Sequence, residues 1–170
     1  MMIDLRYPVG TFSLDSVITP AKRTTWIRQI ADAPAALRAA VTGLSARQID
    51  TPYRPGGWTG RQVVHHVADS HMNAFTRFRL ALTEDNPTIK PYDEAAWAAL
   101  ADSVRTPVDV SLSLLDALHV RWLTMLEAMT TEEFARPLVH PVNGPMSIDS
   151  LLQLYAWHGR HHTAHVSSLR

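Results

Sequence analysis

Four histidines near the carboxyl end of the chain lie within eight residues: His158, His161, His162 and His165. Neutral imidazole is a good metal ligand, an effective acid or base and an acceptable core residue. On a helix, His158 and His162 lie one turn apart on the same face, with Cβ atoms about 5–6 Å apart. That spacing is typical of helical metal sites with the pattern His-x-x-x-His. Because His161 and His165 have the same spacing, spacing alone does not decide which of the two pairs binds a metal.

The hydrophobic pattern around these residues favours His158 and His162 as the pair. At the angular spacing of a helix, both point closest to the centre of the apolar face. A buried imidazole without a partner costs about 1–3 kcal/mol. The histidines therefore need either a bound metal or hydrogen bonds to one another and to the backbone, and both interpretations stay open. The face is formed by Ile148, Leu151, Leu154, Tyr155, Val166 and Leu169.

A second histidine-rich stretch, VVHHVADSHMNAF at residues 63–75, offers a third ligand. His71 falls on an apolar face and is predicted to be structural. His65 lies toward the edge of a polar stripe, one turn before Asp69, which would hold it. His66 lies in the middle of that stripe, which is either the solvent face or the border of a central cavity. Catalytic zinc sites keep three protein ligands and an open position, and His66 is the natural third ligand.

The elements that must position these residues are predicted to be helices joined by irregular segments. Thr19-Pro20 is a helix-start signal with proline at the first helical position, and Ser147 is a plausible N-cap. Four long helices without a convincing strand pattern predict an all-α four-helix bundle, a single domain over residues 1–170. The predicted segments are an extended arm at 1–18, long helices at about 20–44 (bent near Pro34), 59–83, 106–129 and 148–168, short helices at about 93–101 and 131–134, and loops at 52–57, 84–92 and 140–145.

The composition excludes several classes of function. Lys plus Arg and Asp plus Glu each number 16, so the zero net charge argues against a general nucleic-acid binder. The chain has no cysteine, so a nucleophilic thiol would have to come from a substrate or cosubstrate. No apolar run of about 18 residues is present, and the amino terminus lacks the apolar core of a signal peptide. We therefore expect a cytoplasmic protein without a membrane span.

Several stretches, in this order and at these separations, resemble the DinB-like superfamily. They are DLRYP with Gly10 near the amino terminus, RPGGWT at 54–59, VVHHVADSHMN at 63–73, RFRLALTEDNPTI at 77–89 and YAWHGRHHTAHV at 155–166. More narrowly, they are similar to the YfiT subgroup of metal-dependent hydrolases, also called bacillithiol transferases. The resemblance covers nearly the whole chain.

The resemblance implies a DinB-like four-helix bundle, a homodimer, and one divalent metal ion, zinc or nickel, on three histidines. In the family the first ligand follows the tryptophan by about eight residues and precedes an aliphatic-Ala pair. That pattern selects His66, which follows Trp58 and precedes Val67-Ala68, although the neighbouring His65 keeps a one-residue shift open. The same alignment places the other two ligands at His158 and His162.

The resemblance favours transfer of a low-molecular-weight, bacillithiol-like thiol to an electrophilic small molecule. The nucleophile would be a thiolate or a water held by the metal. One alternative is a hydrolase with a hydrolysable substrate, and another is a non-catalytic helical binding protein with a structural metal. Asp69, Asn73 and Arg77 are candidates to orient ligands or bind an anion, although a solvated helix face is an equal interpretation for Arg77. His161 and His165 are predicted to be structural, the segment 140–144 to be an inter-helix turn, and Trp58, Trp97, Trp122 and Trp157 to be core anchors.

Overall fold

Helices account for most of the computed structural model, which describes residues 4–170. The sequence-based prediction of a helical bundle is confirmed. The four long helices are α1, α3, α6 and α8, and the remaining elements are short connections between them. In chain order the elements are α1 (Pro20–Val41), α2 (Ala46–Ile49), α3 (Gly60–Thr83), α4 (Glu94–Ala98), α5 (Ala101–Arg105), α6 (Val108–Ala128), α7 (Thr131–Phe134), β1 (Pro137–His140), β2 (Gly144–Ser147) and α8 (Ile148–Ser167).

Side-chain caps fix where the long helices begin. The Thr19 hydroxyl accepts a hydrogen bond from the Lys22 backbone, and Pro20 occupies the first turn of α1. Thr59 caps α3 in a capping box closed by Gln62, and Ser147 caps α8 in the same way. The predicted starts of these helices are therefore confirmed. Pro34 lies within α1, and the bend expected there stays a prediction.

The four long helices pack so that α1 and α3 each contact both α6 and α8. One part of the core surrounds Trp122 and Phe78, and the other surrounds Leu37 and Val64. Burial of such side chains stabilises the bundle by about 1.5–3 kcal/mol each. Helix α8 contributes apolar side chains to this core, and its residues His158 and His162 face His66 of α3. Among the described residues, none of the helices has the length and apolar character required to cross a membrane.

The expected loop at 140–145 is confirmed only in part: residues 141–143 form a turn, but the residues on either side of it pair as a two-stranded hairpin. Strands β1 and β2 are antiparallel, with His140 paired to Gly144. Gly144 has a φ of 78°, which glycine adopts without strain. Ile89 and Val139 also share a backbone hydrogen bond of 3.0 Å, which ties the segment after α3 to the hairpin. The strand signal was missed because each strand has only four residues and begins or continues with proline or glycine.

Two further predictions are refined by the structure. The single short helix expected at 93–101 is a pair, α4 and α5, separated by Ala99 and by Leu100, whose backbone is extended. Residues 4–18 contain no helix or strand, in agreement with the predicted arm, whose residues 1–3 lie outside the described part of the chain. Three hydrogen bonds hold the arm against α8. Trp157 Nε1 donates to the Gly10 carbonyl at 3.0 Å, the Asp15 backbone N–H donates to Gln153 Oε1 at 2.8 Å, and Gln153 Nε2 donates to the Asp15 carbonyl at 3.4 Å.

Candidate metal centre

Three histidines from two helices meet inside the bundle. Helix α3 carries His66, and α8 carries His158 and His162 one turn apart. The ring centroids are 5.3 Å apart for His66 and His158, 4.7 Å for His66 and His162, and 4.5 Å for His158 and His162. One ring nitrogen from each lies within 4.8 Å of the others. These are the three residues predicted from the sequence, and their role as ligands stays a proposal.

Burial keeps all three imidazoles neutral. Desolvation lowers the pKa of His66 to about 4. It also lowers the pKa values of His158 and His162 well below the usual 6.5, and the neighbouring histidines lower them further. A neutral imidazole has one nitrogen with a free lone pair, which is the form that binds a metal. Three such nitrogens suit zinc and other late first-row divalent ions, so the residues present fit a metal site.

A chain of hydrogen bonds, here called the histidine relay, sets the orientation of His158. Its Nδ1 lies 3.3 Å from Nε2 of His71, and Nδ1 of His71 lies 2.8 Å from Nε2 of His119. His119 Nδ1 lies 2.9 Å from the Ile30 carbonyl oxygen. These contacts join α8, α3, α6 and α1 through one continuous polar path across an otherwise apolar core.

The direction of the relay follows from its last member. A carbonyl oxygen only accepts, so His119 Nδ1 must carry the hydrogen that is donated to Ile30. Burial lowers the pKa of His119 to about 4 and that of His71 well below its usual value, so each ring holds a single proton. His71 therefore donates to His119, and His158 donates to His71. This assignment leaves Nε2 of His158 unprotonated, 3.3 Å from Nε2 of His66, where a metal ligand requires it.

The relay extends what the sequence indicated. His71 is fully buried, as predicted, but it also holds a proposed ligand. His119 was not identified from the sequence. It is spaced four residues from Leu115 and three from Trp122 on the buried face of α6. The only signal in the sequence was therefore one histidine at helical spacing within an apolar face.

His161 and His165 do not behave as satisfied core histidines. Both line the cavity beside the proposed ligands. The ring of His161 stacks on Trp157 at 4.2 Å, and its Nδ1 has no hydrogen-bond partner among residues 4–170. His165 stacks on Tyr53 at 3.9 Å, and its Nδ1 lies 3.4 Å from Nδ1 of His162. When His162 Nδ1 is the donor in this contact, Nε2 of His162 is unprotonated and available to a metal.

A second group of three histidines also satisfies the distance requirement for a metal. Nitrogens of His161, His162 and His165 lie within 4.8 Å of one another. All three come from the same helix, however, and Nδ1 of His162 and of His165 face each other. The first set draws ligands from two helices, and the histidine relay orients one of them. We therefore retain His66, His158 and His162 as the proposed ligands.

His65 points away from this centre. Its Nδ1 lies 2.7 Å from the Ser111 hydroxyl and its Nε2 lies 3.0 Å from the Thr106 carbonyl, so both ring nitrogens are engaged. The expectation that Asp69 would hold His65 is therefore wrong. Burial lowers the pKa of His65, so it is neutral near pH 7. This geometry favours His66 in the choice between the two adjacent histidines.

A cavity of about 540 Å³ borders the three histidines. Two of the four tryptophans predicted as core anchors line it instead: Trp58, whose ring centroid lies 4.7 Å from that of His66, and Trp157. Trp122 is a core residue as predicted, and Trp97 is 36% exposed. The hairpin also contributes to the wall. The polar and aromatic lining includes Tyr53, Arg54, Ser70, Arg77, Glu94, His140, Asn143 and Tyr155.

Only one of the three additional candidates on α3 lies in the cavity wall. Arg77 is buried there, so the interpretation of a solvated face is wrong for it. Asp69 and Asn73 do not line the cavity within the described chain, and the Asn73 side chain donates to the Asp69 carbonyl at 2.9 Å. Burial, with a contribution from Asp102, raises the pKa of Asp69 to about 6.

Comparisons with known proteins agree with this architecture. Residues 29–166 match the model of the DinB superfamily. A protein of Bacillus cereus named "Putative metal-dependent hydrolase" is 55% identical over 169 residues, covering 99% of this chain and 97% of the relative. A protein of Bacillus anthracis with the same name is 54% identical over the same shares.

The fold is also found in a solved structure. YfiT from Bacillus subtilis, described as "a probable metal-dependent hydrolase with an unusual four-helix bundle topology", superimposes with a TM-score of 0.94 at 45% identity. The match covers 97% of this chain and 95% of that one. With most of its length matched by the family model and by relatives of this identity, the chain belongs to the DinB superfamily.

Proposed function

We propose that this protein is a metal-dependent enzyme that transfers a low-molecular-weight, bacillithiol-like thiol to an electrophilic small molecule. One divalent metal ion, zinc or nickel, would be held by His66, His158 and His162. The observation that carries the proposal is the convergence of three buried, neutral imidazoles at the wall of a cavity of about 540 Å³. Such a site has room beside the ligands for a small molecule.

A metal bound there would lower the pKa of a thiol or a water and so supply a nucleophile at neutral pH. The residues of the chain orient the proposed ligands and shape the cavity. The histidine relay presents Nε2 of His158 without a proton. Trp58 packs against His66 and, with Trp157, forms an aromatic part of the cavity wall beside the proposed ligands. Because the chain has no cysteine, the attacking sulfur must come from a bound molecule.

The distribution of acidic groups supports thiol transfer. Glu94 is the single carboxylate in the described lining, and no carboxylate within residues 4–170 hydrogen-bonds to the three histidines. Helical zinc hydrolases typically place a carboxylate beside the metal ligands as general base for the bound water. Thiol transfer needs a carbon–sulfur bond to form while the thiol proton and the leaving group depart separately. The names of the relatives in Bacillus make metal-dependent hydrolysis the second candidate.

Metal analysis of untagged protein tests the first step of the proposal. We expect about one equivalent of zinc or nickel per chain, and less than about 0.2 equivalents after incubation with either ion would count against both enzymes. The loaded protein is then mixed with a chromogenic electrophile and a panel of small thiols. Acceleration that depends on both metal and thiol supports transfer. Metal-dependent turnover of an ester without any thiol would instead support the hydrolase.

The resemblance also implies a homodimer, which we include in the proposal. Light scattering coupled to size-exclusion chromatography should give twice the 19.0 kDa mass of the chain. A mass of one chain at micromolar concentration would refute this part and leave the chemistry of the site unaffected.

A further inference from the structure

One arginine in the wall of the cavity is buried without a carboxylate partner. Arg77 is 9% exposed, and the ion pairs formed within residues 4–170 do not include it. Its terminal nitrogens donate to neutral oxygens, the Tyr155 hydroxyl at 3.2 Å and the Lys90 carbonyl at 3.4 Å. Its Nε has no hydrogen-bond partner in the described part of the chain. A buried charge normally needs an opposite charge nearby. Glu94 lies close enough for Arg77 to oppose the desolvation that raises the pKa of Glu94, but the two form no ion pair, so Arg77 is only partly stabilised by the protein itself.

The cavity wall carries more positive than negative charge. Arg54 and Arg77 line it together with the single carboxylate of Glu94. A divalent metal on three neutral ligands would add to this excess. The cavity therefore favours an anionic molecule over a neutral one of the same size.

Arg77 and Tyr155 have the donors that a carboxylate needs. A guanidinium carries more N–H groups than these two contacts use, and its fork suits the two oxygens of a carboxylate. Burial raises the pKa of the Tyr155 hydroxyl, so Tyr155 stays protonated at neutral pH. Its oxygen accepts from Arg77. Ser70, which lines the same cavity, also lies within hydrogen-bonding reach of the hydroxyl, so the Tyr155 hydrogen is either shared with Ser70 or donated to a bound carboxylate.

Arg77 and the three histidines line the same cavity. Arg77 follows His66 by eleven residues on α3, which is roughly 16 Å along the helix axis. The arginine side chain spans part of that distance and reaches Tyr155, whose ring centroid is 5.6 Å from that of His158. A molecule with a chain of several carbons that contacts the three histidines can therefore also reach Arg77 and Tyr155.

We infer that Arg77 and the Tyr155 hydroxyl form an anion subsite that binds the carboxylate of the thiol substrate while its sulfur lies at His66, His158 and His162. The inference rests on the proposed function, because it assigns the thiol as a carboxylic acid. It also predicts which thiols are poor substrates: neutral thiols of the same length lack the group that Arg77 needs.

A series of ω-mercaptocarboxylates of increasing chain length, each paired with its neutral amide, measures the subsite directly. Binding to the zinc-loaded protein is followed by quenching of tryptophan fluorescence, since Trp58 and Trp157 line the cavity. We expect the acid to bind about 10–100-fold more tightly than its amide at intermediate lengths, as for one charge-assisted pair of hydrogen bonds. For chains too short to span the cavity the ratio should approach one. A ratio near one at every length would overturn the inference.

Three variants assign the preference to particular atoms. Arg77→Met keeps the aliphatic stem but removes the charge, and should abolish the preference for the acid. Tyr155→Phe removes only the hydroxyl and should reduce the preference without loss of helix content, which keeps the test valid if Arg77→Met does not fold. Arg136→Met is the matched control, because Arg136 also donates to backbone carbonyls at the end of α3, those of Ala81 and Glu84. An equal loss of preference in the control would refute a specific role for Arg77.

The same acids without the thiol separate this inference from the proposed function. They are bound to the metal-free protein, where only the anion subsite can distinguish acid from amide. If the metal does not increase the affinity for thiols but Arg77 still favours acids over amides, the proposed thiol chemistry fails and the subsite stands. If thiols bind through the metal with no preference for acids, the subsite fails and the proposed function stands.

Discussion

Replacement of His71 by phenylalanine tests whether the histidine relay prepares the metal centre. His71 is fully buried and touches neither solvent nor the other proposed ligands apart from His158. Phenylalanine fills a similar volume, so the main loss is of two hydrogen bonds. His158 Nδ1 loses its acceptor, and His119 Nε2 loses its donor. Without the relay, the proton of His158 is free to move to Nε2, the nitrogen that must bind the metal.

The structure gives two magnitudes for this variant. Each polar group left unsatisfied in the core costs about 1–3 kcal/mol, so the metal-free protein should lose roughly 2–6 kcal/mol of unfolding free energy. Loss of a partner that orients a metal-bound histidine typically weakens metal affinity by about 10–100-fold. Urea unfolding of the metal-free protein measures the first quantity, and competition with a chelator measures the affinity for zinc.

His65→Phe is the matched control for both measurements. His65 lies on the same helix, is buried, and also has both ring nitrogens engaged, with Ser111 and Thr106. Its replacement should lower stability by a similar amount but leave zinc affinity within about threefold of the original, because it faces away from the centre. Nitrogen-15 NMR of the metal-free protein should also detect the proton of His158 on Nδ1, and His71→Phe should abolish that preference. Equal zinc affinities in the two folded variants would refute the reasoning.

The remaining predictions concern the other histidines. His158→Ala and His162→Ala should each abolish stoichiometric metal binding, measured by elemental analysis, while circular dichroism still shows a helical protein. His66→Ala should lose the metal and His65→Ala should keep it, and the opposite result would move the proposed ligand by one residue. The pKa of His119 is about 4 in the fold and 6.5 when exposed, so the unfolded state binds more protons as pH falls between these values. The metal-free protein should therefore lose about 3 kcal/mol from this residue between pH 6.5 and 4, and His119→Phe should show a correspondingly flatter dependence of unfolding free energy on pH.

The sequence predicts the frame of this site well because its signals are local. Thr59 and Ser147 cap helices through contacts three residues away, and the pair His158 and His162 is set by the period of one helix. Such features depend only on nearby residues. The position of His66 opposite the pair required a further assumption about helix packing, and the family resemblance supplied it.

The features that the sequence does not predict depend on contacts between different helices. Periodicity placed His65 and Arg77 on the polar side of α3 but could not reveal that this side is covered. Ser111 of α6 engages His65, and Tyr155 of α8 engages Arg77. His119 joins the relay only because α6 packs beside α1 and α3. Each contact links residues more than 40 positions apart, and a single sequence carries no direct signal for such pairs.

The extent of histidine burial indicates that this core is built for binding as well as for stability. Eight of the nine histidines are buried, and only His140 is partly exposed. Apolar side chains at these positions would avoid the desolvation that lowers so many of their pKa values. A ligand that binds only the folded state offsets such a cost by mass action. Zinc should therefore raise the free energy of unfolding, and this increase should be greater in the original protein than in His71→Phe.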